Sequence, residues 1–273
     1  MRIIGIGDNV VDCYLDQGLY YPGGNCVNVA VNAKRAGAKK ADYLGIFATD
    51  DKAQHIKRSL DKEGISYEYS REVKGVSGQP KVNLTPDGDR IFVGGPKNTV
   101  QHCVKLKLTE EDLSYLRDFD LAHSSCYSSF EEELPVLSSV IPVSFDFSDR
   151  HDEAYLKKVC PFIDYGFFSG SDLTDEELET LIELLSPYDL KVVGITRGAK
   201  PAVFLSSGRR YFRSPLETEV VDTMGAGDSF IGAFLVGYLD GLSMEEALEK
   251  GAESARHTCT FYGGFGYPEE LEG

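Results

Sequence analysis

Short β-branched runs alternate with stretches of helical periodicity along most of this chain, and that rhythm leaves few architectures open. Residues 2–7 read as a buried strand that ends at Gly7 and delivers Asp8 and Asp12 into a loop. Residues 25–36 then place Val27, Ala30, Val31 and Ala33 at helical spacing, with Gly37 set to end the helix. A strand over 41–48 and a helix over 51–62 repeat the pair. Further strands are predicted at 121–125, 140–147, 165–169 and 190–196, each with a helical companion. A parallel neighbour needs a crossover of helix length, so the expected fold class is α/β, a doubly wound and mainly parallel sheet flanked by helices. Ligands in such sheets bind beyond the carboxyl ends of the strands. Residues 202–206 and 209–213 flank Ser207-Gly208 as a hairpin, and closing helices begin near Gly227 and Met244.

The rhythm breaks once. Residues 66–93 carry short alternating segments and the turn sequence Thr85-Pro86-Asp87-Gly88-Asp89, which favours a hairpin over a helix. We therefore expect one domain over 1–273 with a small antiparallel β lid inserted at about 13–21 and 66–95. That lid is also where a homodimer could join. A chain of 273 residues with 42% hydrophobic and 26% charged side chains suits one compact domain.

The formal net charge of −16 argues against nucleic acid or an anionic membrane as partner, because both need a basic footprint. An anionic ligand would need a positive field made locally by helix N-termini and backbone amides. Cys13, Cys26, Cys103, Cys126, Cys160 and Cys259 are scattered, with no CxxC pair, and read as reduced core thiols. The opening MRIIGIGDNVVD lacks an apolar run of signal-peptide length, so a cytoplasmic location is expected. The five histidines show neither metal spacing nor a triad arrangement and are assigned surface or core roles.

The strongest local signal is the segment 221–230, VDTMGAGDSF, leading into an apolar helical stretch with Ile231, Phe234, Leu235 and Tyr238. Small residues just before a helix let its free amides approach an oxyanion, and a larger side chain at Gly225 or Gly227 would obstruct that approach. Asp228 comes next, in the first turn, where its carboxylate could take a proton from a hydroxyl lying beside a phosphoryl group. The alternative is that Asp228 caps a helix and the glycines form a tight turn. Gly23 and Gly24 likewise permit close backbone contact with a ligand, while Asp12 and Asn28 offer the acceptors and donors a polyol requires. A glycine-rich turn with capping polar side chains is the competing reading.

Together these residues resemble the ribokinase-like (PfkB) carbohydrate kinases. DTMGAGDSF is similar to that family's signature, Gly7 and Asp12 to its first strand-end loop, and the run from Gly23-Gly24-Asn25 through Asn28 to Ala30 to its sugar-binding segment. The three occur in the family's order over nearly the whole chain. The resemblance implies an ATP-dependent phosphotransferase in which Asp228 is the base and Gly225, Ala226 and Gly227 line the anion hole. It implies that Asp12, Gly23, Gly24 and Asn28 hold the sugar.

On the nucleotide side, Thr196-Arg197-Gly198 resembles the start of the family's phosphate loop, although Pro201 stands where its second glycine would be. Arg197 is either a phosphate clamp or a solvated arginine. The family's magnesium element falls at Asp172 and Asp175, which could equally begin the next helix. The resemblance also implies a monovalent cation, K+, behind the anion hole near Asp222 and the chain at 262–264. Arg150, after the segment FDFSD at 145–149, is a further candidate at the cleft, with a surface ion pair as its alternative.

Within the family the segments GDNVVD, GGNCVNVAV, FDFSD and DTMGAGDSF are most similar to its fructoselysine 6-kinases. That implies phosphorylation of the 6-hydroxyl of a fructosamine, with Asp8 or Asp89 available to its ammonium group. Fructokinase, or another ketose or nucleoside kinase of the family, is the alternative; a catalytically silent sugar or nucleotide sensor is one of another class. A dinucleotide-binding start at Gly5 and Gly7 fails, because Asp8-Asn9-Val10-Val11 does not supply the glycines that open the helix in such folds.

Overall fold

A computed structural model describes residues 1–84 and 90–271. The expected turn at 85–89, with Asp89, lies outside them.

In chain order the first half comprises β1 (Arg2–Gly7), β2 (Val10–Tyr14), β3 (Leu19–Gly23), α1 (Asn25–Arg35), β4 (Lys40–Phe47), α2 (Asp51–Glu63), β5 (Arg71–Glu72), β6 (Lys81–Leu84), β7 (Arg90–Gly94) and α3 (Val100–Cys103). The second half runs α4 (Glu110–Leu116), β8 (Leu121–Ser125), α5 (Leu134–Ser138), β9 (Val143–Asp146), α6 (Glu153–Val159), β10 (Tyr165–Ser169), α7 (Asp175–Leu185), β11 (Val192–Arg197), β12 (Lys200–Ser206) and β13 (Arg209–Arg213). It closes with α8 (Ala226–Leu239), α9 (Met244–Thr258) and β14 (Glu269–Glu270).

Among the described residues, nine strands form one sheet in the order β13-β12-β11-β10-β9-β8-β1-β4-β5, parallel from β11 to β5 and antiparallel at β11-β12-β13. Its strands read as continuous apolar runs because both faces are covered. Ile3, Leu121, Phe167 and Val192 point to the side packed by α1, α2, α8 and α9. Their neighbours Ile4, Ala122, Phe168 and Val193 point to the side packed by α4, α5, α6 and α7. The Ser207-Gly208 hairpin forms with both residues at positive φ, 49° and 73°. Pro201 sits where the β11-β12 register slips, a place that needs no ladder donor.

A second sheet runs β14-β3-β2-β6-β7 and is antiparallel except for β2 and β6. It begins later in the insertion than the sequence suggests. Ser66 bridges Asp42, and β5 pairs parallel with β4, so the first part of 66–93 extends the edge of the large sheet. β2 and β3 run slightly past 13–21 at both ends, because the β1-β2 crossing at Asp8-Asn9 is short. The passage between the sheets is fixed at Asp50, which caps α2 through the Ala53 amide (2.9 Å) and also holds the Ser77 amide (2.7 Å) and hydroxyl (2.6 Å). No helix among the described residues is long and apolar enough to cross a membrane. Four of the six cysteines are buried thiols, as expected, while Cys103 is exposed and Cys259 half-buried.

Candidate active site

The carboxyl ends of β1, β8 and β9 converge with the N-termini of α1 and α8. Helix α1 starts at Gly24, whose φ of 106° and lack of a side chain let the turn lie on the β1-β2 loop; a Cβ there would come within 2.8 Å of the Asp8 carbonyl oxygen. Since Gly24 cannot cap with a side chain, Asp8 does so from the β1-β2 loop. Its Oδ2 accepts from the Asn25 amide (2.6 Å), and its Oδ1 from the hydroxyls of Ser125 (3.0 Å) and Ser128 (2.8 Å). Asp8 is thus a buried tie with partners on both oxygens, which does not suit the ammonium role that the resemblance implies for it. Asp12, also buried, lies on β2 against Gly23, where a Cβ would come within 2.2 Å of its carboxylate.

Helix α8 begins at Gly225, in the left-handed region at φ 72°, and a Cβ there would meet the Gly264 Cα at 2.5 Å. This close approach is held by Asp222, fully buried. Its carboxylate accepts from the Met224 amide (2.9 Å), the Gly263 amide (2.9 Å) and the Tyr14 hydroxyl (2.5 Å). Burial and the Asp222 charge together push the Tyr14 phenol well up, so it remains a donor. With three donors on its oxygens, the Asp222 carboxylate is a brace between distant segments of the chain.

The turn is open where an anion would approach. Gly227 is exposed, and a Cβ on it would meet nothing within 4 Å. The Ala226 amide, expected in the anion hole, instead donates to the Thr223 carbonyl at 3.2 Å. The amide of Gly227 belongs to the first turn, whose donors a helix cannot satisfy internally.

Asp228 is half-buried, and two asparagines from α1 hold its carboxylate: Asn25 Nδ2 at 2.8 Å and Asn28 Nδ2 at 2.7 Å. The Asn28 Oδ1 is buried without a hydrogen-bond partner among the described residues, so it presents an acceptor beside the base. Asn25 Nδ2 also donates to Asp146 Oδ2 (2.8 Å), which brings a second carboxylate to the site. Burial, with the Asp228 charge adding to it, pushes the Asp146 carboxyl up to about 7. The Asn25 Oδ1 meets His123 Nε2 at 2.9 Å, and His123 Nδ1 meets the Ser144 hydroxyl at 3.0 Å. Burial holds the His123 imidazole down at about 3.

Sequence reasoning did not nominate Asn25 or Asp146. The signal was present: Asn25 lies inside the glycine-asparagine segment, and Asp146 ends a predicted strand at the ligand-bearing edge. Arg150, which was nominated from that segment, is exposed and lies over the Tyr155 ring at 5.3 Å.

The nucleotide-side residues gather at the β11-β12 turn. Thr196 is half-buried, its hydroxyl donating to the Phe168 carbonyl at 3.3 Å, and Gly198 turns the chain at φ 59°. Arg197 is neither a free clamp nor a solvated side chain, since its guanidinium donates to Asp175 (2.8 Å) and to the Leu173 carbonyl (3.2 Å). Asp175 opens α7 beside the Thr174–Glu177 capping box, and the Arg197 guanidinium draws its carboxyl below the usual range. Asp172 is exposed ahead of that helix. The pair therefore fits a helix start better than a magnesium site, and among the described residues no group of three or more His, Cys, Asp or Glu could hold a metal ion.

Comparison with known proteins gives a consistent result. The pfkB family carbohydrate kinase profile matches residues 3–138 and 164–267. The sequence is 44% identical over 275 residues to the fructosamine kinase FrlD of Bacillus subtilis, covering 100% of this chain and 96% of that one. It is 30% identical over 259 residues to the fructoselysine 6-kinase of Escherichia coli, covering 94% and 97%. Among solved structures, ribokinase from Arabidopsis thaliana, complexed with ribose and ATP, superposes with a TM-score of 0.79 at 20% identity, covering 96% of this chain and 93% of that one.

Proposed function

The chain belongs to the pfkB family of carbohydrate kinases, and we propose that it transfers the γ-phosphate of ATP to the 6-hydroxyl of a fructosamine such as fructoselysine. The observation that carries this reading is the placement of Asp228: its carboxylate is held by Asn25 and Asn28 at the first turn of a helix, next to the exposed Gly227, where even an added Cβ would meet nothing. End-to-end similarity to two kinases named for fructosamine and fructoselysine supports the substrate class.

In this mechanism Asp228 takes the proton of the acceptor hydroxyl as its oxygen bonds to the γ-phosphorus, and the bond from that phosphorus to the bridging oxygen of ADP breaks. The Gly227 amide takes up charge on the transferring group. Asn28 Oδ1, Asp12 and the backbone at Gly23 and Gly24 meet the sugar hydroxyls, and Thr196 and Gly198 border the nucleotide. ATP enters as its magnesium complex, and no step is assigned to Asp172 or Asp175.

A coupled assay of ADP release with fructoselysine, fructose and ribose tests the reading. The expected outcome is a kcat/KM at least about tenfold higher for fructoselysine. A preference for fructose would remove the fructosamine assignment, and binding without ADP release from any of the three would leave a sensor.

A further inference from the structure

Asn25 has one amide group and two carboxylates to serve, and its orientation is not left to chance. Nδ2 reaches Asp146 and Asp228, both at 2.8 Å, so its two hydrogens are committed and Oδ1 must face the other way, toward His123. His123 is fully buried and neutral, with a single ring N–H to give. That hydrogen must sit on Nε2, because Asn25 Oδ1 can only accept. Nδ1 is then the acceptor for the Ser144 hydroxyl, which is itself fully buried. The chain of donors runs one way, from Ser144 to His123 to Asn25 to the two carboxylates. An apolar pair on β8 and β9 would fill the same space without the cost of burying an imidazole and a hydroxyl.

We infer that His123 and Ser144 are positioning residues for phosphoryl transfer: they lock the Asn25 side-chain amide, and through it the carboxylate of Asp228, in the orientation that meets the acceptor hydroxyl. Neither touches the reacting atoms. A flipped Asn25 would present its oxygen to two carboxylates, and Asp228 would turn away from that repulsion. The inference rests on Asp228 being the base.

The test is a double-mutant cycle on the full chain, read as kcat and as KM for ATP with the substrate that the coupled assay selects. His123→Leu is expected to lower kcat about tenfold while KM for ATP stays within about twofold. His123→Gln, whose amide can present an N–H to Asn25, should restore most of the loss. In an Asn25→Ala background the same His123→Leu change should cost nothing further, since the residue through which it acts is gone. An equal fold-loss in both backgrounds would show a general packing role and overturn the inference. If thermal melting shows that His123→Leu does not fold, Ser144→Ala goes through the same cycle with the same criteria. Asp228→Asn is measured alongside: full activity there removes the base itself, whereas an inactive Asp228→Asn with additive cycles sinks only the lock.

Discussion

Asp228 faces the cleft from a fixed position, because two amides hold its carboxylate from a helix that begins about two hundred residues earlier in the chain. Replacing it with asparagine keeps the shape and removes the proton acceptor. We expect kcat to fall about 10²–10⁴-fold with KM for the sugar little changed, measured by the same coupled assay; near-normal turnover would refute its role. Asp146 makes a separate prediction about stability. Its ordinary value is 3.8, and the folded protein raises it to about 7, so the folded state holds a proton that the unfolded chain has released. That contribution is complete below about pH 3.8 and is lost as the pH climbs through about 7. Thermal unfolding of wild type and Asp146→Asn at pH 5 and pH 8 should show the variant gaining on wild type at the higher pH. A difference that does not change with pH would mean that Asp146 stays ionised throughout.

The first turn of α8 makes opposite demands on its two glycines. Gly225 is left-handed and abuts the Gly264 backbone, so Gly225→Ala should cost about 1–3 kcal/mol of folding stability in denaturant titrations. Gly227 has helical neighbours and open space beside it, so Gly227→Ala should leave stability unchanged or raise it by up to about 1 kcal/mol. It should nevertheless raise KM for ATP severalfold, because the new methyl projects where the phosphoryl group approaches. A Gly227→Ala enzyme with unaltered ATP kinetics would mean that the nucleotide binds elsewhere. Helix α1 depends on the same logic from the other side: Gly24 keeps its start slim, and the missing cap comes from Asp8.

For the molecule as a whole, the second sheet ends in an unpaired edge. Strand β7 leaves Ile91, Phe92 and Val93 exposed, Phe92 by 56%, on a strand with only one neighbour among the described residues. Such an edge is a ready template for pairing, and a homodimer through the lid is the expectation it supports. Sedimentation should show a dimer for the wild type at micromolar concentration and a monomer for Phe92→Lys; a monomeric wild type would remove the lid contact. Legibility in the sequence divides along the reach of the forces involved. Strand and helix alternation, the helix starts at Asn25 and Ala226, the Ser207-Gly208 hairpin and the candidate base are set by near neighbours: glycine at positive φ, apolar periodicity, a carboxylate in a first turn. The chain could therefore be read for its fold class, its α8 motif and the family resemblance. Which carboxylates the fold spends on its own structure could not be read in the same way. Asp8 and Asp12 look alike along the chain, yet one is consumed in capping α1 and the other lies beside Gly23. Arg197 and Asp175 were two separate candidates until the fold paired them. Asn25, His123, Asp146 and Asp228 meet across separations of 98, 121 and 203 residues, so their hydrogen bonds exist only once the sheet has closed, and no local pattern encodes them.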